Sequence, residues 1–125
     1  MKIDVVVLDK RAEKLKPLIS KKAKELAGIL RLNGHLEIFL VGNKQMKKNV
    51  LSYVASGDFP RPDIKQKALG EIYLNPSFIK KNKENLLFML LHGVLHIAGY
   101  DHKKKSDRIK MEKKENILFL IIKSS

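Results

Sequence analysis

Residues 86–102 of this 125-residue chain read LLFMLLHGVLHIAGYDH. The first part of this segment is apolar on every side, which predicts a buried central helix rather than a surface helix. His92 and His96 lie four residues apart, so a helix brings both imidazoles to one face. Gly99 readily takes the left-handed conformation that ends a helix, and the following turn can return His102 toward the other two. The spacing HxxxHxxGxxH therefore predicts that three of the four histidines converge.

Three converging imidazoles indicate a metal site. A histidine buried without a partner costs on the order of a few kcal/mol, and one ion partners both helix histidines at once. Neutral imidazoles suit zinc, and three protein ligands with a fourth position for water are typical of a catalytic site. We therefore predict one Zn²⁺ bound by His92, His96 and His102. The alternative is that these are core histidines hydrogen-bonded to the backbone.

The string from His92 to His102, HGVLHIAGYDH, resembles the signature of the YbeY endoribonuclease family, the bacterial ribosomal RNA maturation factors. Two upstream segments agree with this resemblance. Val50–Tyr53 resembles the family's Val-Leu-Ser-Phe strand, and Leu69–Ile72 resembles its Leu-Gly-Asp-Ile strand. The metzincin proteases share the histidine spacing, but they carry a glutamate directly after the first histidine, where this chain has Gly93.

The resemblance implies that Val50–Tyr53 forms one wall of a substrate cleft. Ser52 would donate to an RNA phosphate there, and Tyr53 would stack on a base. The alternative for Tyr53 is half-buried packing within the sheet. Asp101, beside the third predicted ligand, would accept a hydrogen bond that orients a ligand histidine, or would serve only in the turn.

The segment before Val50 departs from the family pattern. The family usually has an Asn-x-x-aromatic-Arg segment and then Pro-Thr-Asp, with the arginine acting on substrate phosphate. Residues 43–49 of this chain, NKQMKKN, are too few for that arrangement and contain no arginine. Lys47, Lys48 and Arg61 are the candidate replacements, although lysine cannot reproduce the bidentate contacts of a guanidinium. The alternative is that all three are ordinary surface residues.

The composition favours a polyanionic partner. The 26 lysines and arginines against 13 acidic residues give a net charge of +13, which would attract RNA, although a generally lysine-rich surface is the alternative. The lack of cysteine excludes disulfides and thiolate zinc sites. No apolar run approaches membrane-spanning length, and the N-terminus does not resemble a signal peptide. We therefore expect a cytoplasmic protein without membrane contact.

The length and hydrophobic content of the chain predict a single domain over residues 1–125, and its segment patterns together with the family resemblance predict an α+β fold. We expect a small mixed four-stranded sheet packed with helices, in a zincin-like arrangement with the histidine helix at its centre. The strands are predicted at residues 3–7, 35–41, 50–54 and 68–74. Three helices are predicted at residues 16–32, 77–82 and 83–98. A last helix is predicted to follow an N-cap at Ser106-Asp107 and to end at residue 122.

Three parts of this prediction leave alternatives open. Residues 55–67 form an irregular loop, which is either a functional flap or a simple connection. The apolar end of the last helix, residues 117–122, packs on the core or forms a partner interface. His35 receives no functional role and is expected to be exposed or locally bonded.

Together these features predict a zinc-dependent endoribonuclease that prefers single-stranded RNA and acts in ribosomal RNA maturation or ribosome quality control. Hydrolysis by water and attack by the RNA's own 2′-hydroxyl both remain open. A non-catalytic, metal-stabilised RNA-binding or ribosome-binding module is the alternative. A metallopeptidase rests on the histidine spacing alone.

Overall fold

The computed structural model describes residues 1–55 and 67–123. Within these ranges it has an α+β fold, which confirms the predicted class. The strands are β1 (Lys2–Val7), β2 (His35–Leu40), β3 (Val50–Val54) and β4 (Ala68–Leu74); the helices are α1 (Lys16–Ile29), α2 (Pro76–Lys81), α3 (Leu86–Ile97) and α4 (Lys105–Ile122). Arg61 and most of the predicted flap lie outside the described residues.

The sheet is mixed, as predicted, with strand order β1-β2-β4-β3. β2 pairs in parallel with both β1 and β4, and β3 pairs antiparallel with β4. Parallel neighbours require a crossover connection, which α1 provides between β1 and β2. Because β4 inserts beside β2, β3 is placed at the outer end of the strand order, next to α3.

Helix α1 begins with Pro17 in its first turn, where the missing amide hydrogen costs nothing. It is preceded by a 3₁₀ turn, Lys10–Leu15, that the sequence did not predict. The helix ends at Ile29, and the predicted end at residue 32 is wrong. Arg31 takes a left-handed conformation with φ 54°, and the amides of Arg31 and Leu32 bond back to the last turn. This C-terminal motif completes the helix before Gly34 is reached.

Helix α3 is the centre of the fold, as predicted. It contacts the helices α1 and α4 and the strands β3 and β4. Leu90, Leu91, Val94 and Leu95 are fully buried. The core to which they belong also includes Ile19, Leu26, Leu36, Ile38, Leu40, Ile72, Leu74, Met111, Leu118 and Ile122.

The start of α3 differs from the prediction by three residues. Lys83, predicted to begin this helix, instead terminates α2 with φ 57°. The side chain of Asn85 then caps α3 by accepting from the amide of Phe88 at 3.0 Å. A capping side chain satisfies an amide that the helix itself leaves unpaired, so the helix begins after Asn85.

Helix α4 begins at Lys105 without a side-chain cap, so the predicted Ser106-Asp107 N-cap is wrong. Asp107 lies in the first turn, where its charge favours the positive end of the helix dipole. At the other end, Leu118 and Ile122 are buried, whereas Ile117, Leu120 and Ile121 are exposed. One face of this apolar segment therefore packs on the core. No helix within the described ranges combines the length and the apolar character that crossing a membrane requires.

His35 is buried, contrary to the expectation from sequence. Its Nε2 lies 2.7 Å from an Oδ atom of Asp4 on the neighbouring strand. Sequence reasoning missed this pair because the two residues are 31 positions apart and meet only through the pairing of β1 with β2.

Candidate metal centre

The centre is built on the last two turns of α3. His92 and His96 lie one turn apart, and their Nε2 atoms are 3.1 Å from each other. Zinc–nitrogen bonds of about 2.0–2.1 Å in a tetrahedron would place two ligand nitrogens roughly 3.3 Å apart. The helix pair thus already has a spacing that suits one shared cation.

The turn after α3 brings His102 to the same place. Gly99 takes a positive φ of 103°, and its amide donates to His96 O at 3.1 Å. The amide of Tyr100 donates to Leu95 O at 3.0 Å, which completes a Schellman motif. One ligand nitrogen from each of His92, His96 and His102 lies within 4.8 Å of the other two. This cluster could hold a metal ion, and His102 is its exposed member.

Glu115 on α4 orients the first histidine. Its Oε2 lies 3.3 Å from His92 Nδ1, and the residue is only 6% exposed. With the proton on Nδ1 donated to this carboxylate, His92 Nε2 keeps its lone pair for a metal. Sequence reasoning missed Glu115, although a signal was present. The residue interrupts the otherwise apolar buried stripe of α4 formed by Met111, Leu118 and Ile122.

Asp101, the residue predicted to orient a ligand, has a different contact. Its Oδ1 accepts a hydrogen bond from the amide of Lys103 at 3.1 Å, within the turn after α3. This contact is the turn role that the sequence left open. The carboxylate that bonds a ligand histidine comes instead from α4.

The electrostatics of the cluster favour neutral imidazoles. Burial, followed by the neighbouring rings of His92 and His102, lowers the pKa of His96 below its ordinary value. A histidine must be neutral to bind a metal, so this shift keeps the ligand available at neutral pH. Three imidazoles without a thiolate or carboxylate are a donor set that suits zinc.

Gly93 allows α3 to approach the sheet. A Cβ atom at this position would lie 2.9 Å from Ile72 Cγ2 and 3.1 Å from Ser52 Oγ, closer than packed atoms normally approach. Ser52 Oγ also donates to the carbonyl of Gly93 at 3.1 Å. The residue after His92 therefore faces β3 and β4, and a glutamate side chain would have no room there.

Ser52 and Tyr53, predicted to line one cleft wall, point to opposite faces of β3. Ser52 faces α3, whereas Tyr53 contacts the ring of Tyr73 edge-on at 5.8 Å and is 56% exposed. Successive side chains on a strand alternate between faces, so the structure does not bring the two together. Lys47 and Lys48 are exposed in the connection between β2 and β3.

Known proteins are similar to this chain in sequence and in fold. The family model described as Endoribonuclease YbeY matches residues 9–122. Endoribonuclease YbeY of Geobacter metallireducens is 30% identical over 92% of this chain and 84% of its own length. The Syntrophus aciditrophicus protein of that name is 28% identical over 98% of this chain and 83% of its own length.

A solved structure has a similar fold. The solution structure of TM1509 from Thermotoga maritima aligns with 98% of this chain and over 92% of its own chain, with a TM-score of 0.55 and 22% sequence identity. The family model spans almost the whole sequence and includes the three clustered histidines. This chain therefore belongs to the YbeY endoribonuclease family.

Proposed function

We propose that this chain is a zinc-dependent endoribonuclease that prefers single-stranded RNA. Its substrate would be ribosomal RNA, cut during maturation or quality control of the ribosome by a single cytoplasmic domain. The observation that carries this proposal is the convergence of three histidine nitrogens within 4.8 Å in a member of an endoribonuclease family.

His92, His96 and His102 would hold one Zn²⁺. When bound, zinc would supply a Lewis acid for a phosphoryl oxygen and lower the pKa of a water molecule toward about 7. The chain's own residues prepare the site for it. Glu115 holds the ring of His92, and the lowered pKa of His96 keeps that imidazole neutral. The bond from Ser52 to Gly93 ties the backbone of α3 to β3.

The charge of the chain supports an RNA substrate. A net charge of +13 attracts a polyanion over long distances. Lys47 and Lys48 are exposed, and with Arg61 they would replace the family's arginine at substrate phosphates. Tyr53 has an exposed ring that could stack on an unpaired base, as aromatic residues do with single strands.

The decisive experiment combines metal analysis with RNA cleavage. We expect about one zinc per chain in protein purified without added metal, and cleavage of single-stranded RNA that stops on chelation and returns with zinc. His102→Ala removes an exposed ligand without disturbing the core, so it should abolish cleavage and metal retention while preserving the fold. Lys103→Ala, its exposed neighbour, is the matched control and should retain both. Full-rate cleavage after complete metal removal, or in His96→Ala, would refute the proposal.

The absence of arginine from residues 43–49 favours one alternative, a non-catalytic module that binds RNA and uses the metal for stability. This alternative predicts salt-sensitive RNA binding without turnover and a large loss of stability on chelation. Metal-dependent cleavage well above background would exclude it. A metallopeptidase is disfavoured because position 93 has no space for the glutamate that would act as its base.

A further inference from the structure

A cavity of about 550 Å³ lies next to the histidine cluster, among the start of β3, helix α3 and helix α4. Its volume is within the ~300–1,000 Å³ typical of sites for small ligands. His92 lines this cavity and also faces His96 in the candidate metal centre. A group bound in the cavity would therefore lie beside the proposed cleavage site.

Part of the cavity lining is apolar. Val50, Phe88 and Met89 line it, and the ring of Phe88 packs edge-on against Phe119 at 5.3 Å. Among the residues the structure describes, neither lysine nor arginine lines the cavity. It therefore suits a flat, uncharged group rather than a phosphate. In an RNA substrate that group is a nucleobase, which stacks on aromatic side chains.

Two exposed polar side chains of the lining can read the edge of that base. Glu112 and Asn116 lie one turn apart on the same face of α4, and both line the cavity with exposed side chains. An ionised carboxylate only accepts hydrogen bonds, and it can accept two side by side. Guanine presents two adjacent donors, N1–H and the 2-amino group, with the O6 acceptor beside them. Glu112 can accept from both donors while the amide of Asn116 donates to O6.

We propose that this cavity binds an unpaired guanine of the RNA substrate, with Glu112 and Asn116 as the residues that determine base specificity. The inference rests on the proposed function, because it places the base beside the proposed cleavage site. Lys47 and Lys48 directly precede Asn49, which lines the cavity, so these exposed lysines are positioned to contact the phosphates that flank the bound base.

Binding to probes that lack the 2′-hydroxyl nucleophile, with their intact length verified by gel after each titration, tests this inference separately from catalysis. The probes are fluorescein-labelled 2′-O-methyl oligouridines with one central guanine, inosine, adenine or cytosine. Fluorescence anisotropy measures the Kd of each probe for the zinc-loaded protein at a fixed salt concentration. We expect the guanine probe to bind about ten-fold more tightly than the adenine or cytosine probe, the scale of one bidentate base contact. Inosine, which lacks the 2-amino group, should fall between them.

Glu112→Gln should reduce the ratio of guanine to adenine affinity to about one, because one of the two side-by-side acceptor oxygens becomes an NH₂ donor that faces a donor of the base. Glu13→Gln, at an exposed position of the 3₁₀ turn, changes the net charge equally and should preserve the ratio. Both sites are exposed, so thermal unfolding should show intact folds. Equal affinities for all four probes in the unmodified protein, or an unchanged ratio in Glu112→Gln, would overturn the inference.

Cleavage of unmodified RNA tests the proposed endoribonuclease function separately from base binding. Cleavage by a protein that binds all four probes equally would overturn the guanine site and leave the endoribonuclease proposal intact. A guanine preference that depends on Glu112 in a protein that cuts no RNA would support the site and refute the endoribonuclease proposal.

Discussion

Glu115 connects α4 to the candidate metal centre through a single side chain. It is buried, and the His92 imidazole 3.3 Å away is its hydrogen-bond partner. A carboxylate behind a histidine ligand fixes the ring and raises its basicity, so its loss weakens the metal site without removing a ligand. Among the described residues, it is the carboxylate that bonds a histidine of the cluster.

We expect Glu115→Gln to weaken zinc affinity by about 10–100-fold, the usual effect of removing a partner of a ligand histidine. Glutamine keeps the shape and one acceptor oxygen but loses the charge. Competition with a chromophoric chelator measures the affinity. Glu112→Gln, one turn earlier on the same helix, is the matched control because it loses the same charge at an exposed position. Equal zinc affinities for the two variants would contradict the orienting role.

The lowered pKa of His96 makes the metal-free protein sensitive to acid. Because its pKa in the folded state lies below the ordinary value of 6.5, the unfolded chain takes up the proton more readily. The stability that His96 contributes is therefore complete above pH 6.5 and is lost as the pH falls through the folded pKa. We expect the urea midpoint of metal-free protein to fall in this range, and to fall less in His96→Asn. The same pH dependence in both proteins would contradict this assignment.

Helix α3 and strand β3 form the structural support of the site. The helix can lie this close to the sheet because residue 93 has no side chain, and the hydroxyl of Ser52 fixes the contact. Its N-terminus is set by Asn85 and its C-terminus by Gly99, whose positive φ disfavours other residues. These local features define the helix on which His92 and His96 lie.

Two glycine substitutions test this packing. Gly93→Ala should lower the free energy of unfolding by about 1–3 kcal/mol, because the added methyl group overpacks the contact with Ile72 and Ser52. Gly28→Ala, in α1 with open space around it, should instead raise stability by about 0.4–1 kcal/mol. Urea unfolding of both variants measures the difference. A stabilising Gly93→Ala would show that α3 does not require this close approach.

At the scale of the whole chain, the net charge of +13 governs how RNA is attracted. The attraction is sequence-independent and weakens as salt rises, because binding releases counterions from the phosphates. Base selection would instead depend on the cavity, whose lining in the described residues contains neither lysine nor arginine. Affinity and selectivity are thus expected from different surfaces.

Replacing both Lys47 and Lys48 with alanine should weaken the binding of single-stranded RNA. The magnitude of the negative slope of log affinity against log salt should fall by about 1.4, because each lost phosphate contact accounts for roughly 0.7. Anisotropy titrations at several salt concentrations measure the slope. A double alanine variant of Lys10 and Lys14, exposed on the 3₁₀ turn, removes the same charge and should keep the original slope. Equal slopes for the two variants would contradict a specific role for Lys47 and Lys48.

Much of this molecule could be predicted because its signals are local. Apolar patterns predicted β1 and β2, the family resemblance supported β3 and β4, and the apolar segments predicted α1, α3 and α4. Apart from the buried His35, the errors in the predicted elements lie at helix ends, where backbone bonds compete with sequence signals. Arg31, although not a glycine, took a left-handed conformation that ended α1 early, and Lys83 took one at the position where α3 was expected to begin. The family resemblance also predicted that Ser52 and Tyr53 line the same cleft wall. Neighbouring residues of a strand point to opposite faces of the sheet, so their side chains lie apart.

The clustering of His92, His96 and His102 follows from the chain's own covalent order. The three lie within eleven residues, and the pitch of one helix with one glycine turn suffices to bring them together. Glu115, the room at Gly93 and the cavity between α3 and α4 depend on contacts between distant segments. Many arrangements of packed helices are compatible with the same local preferences, so only the folded core specifies which carboxylate meets His92 and which side chains line the cavity beside it.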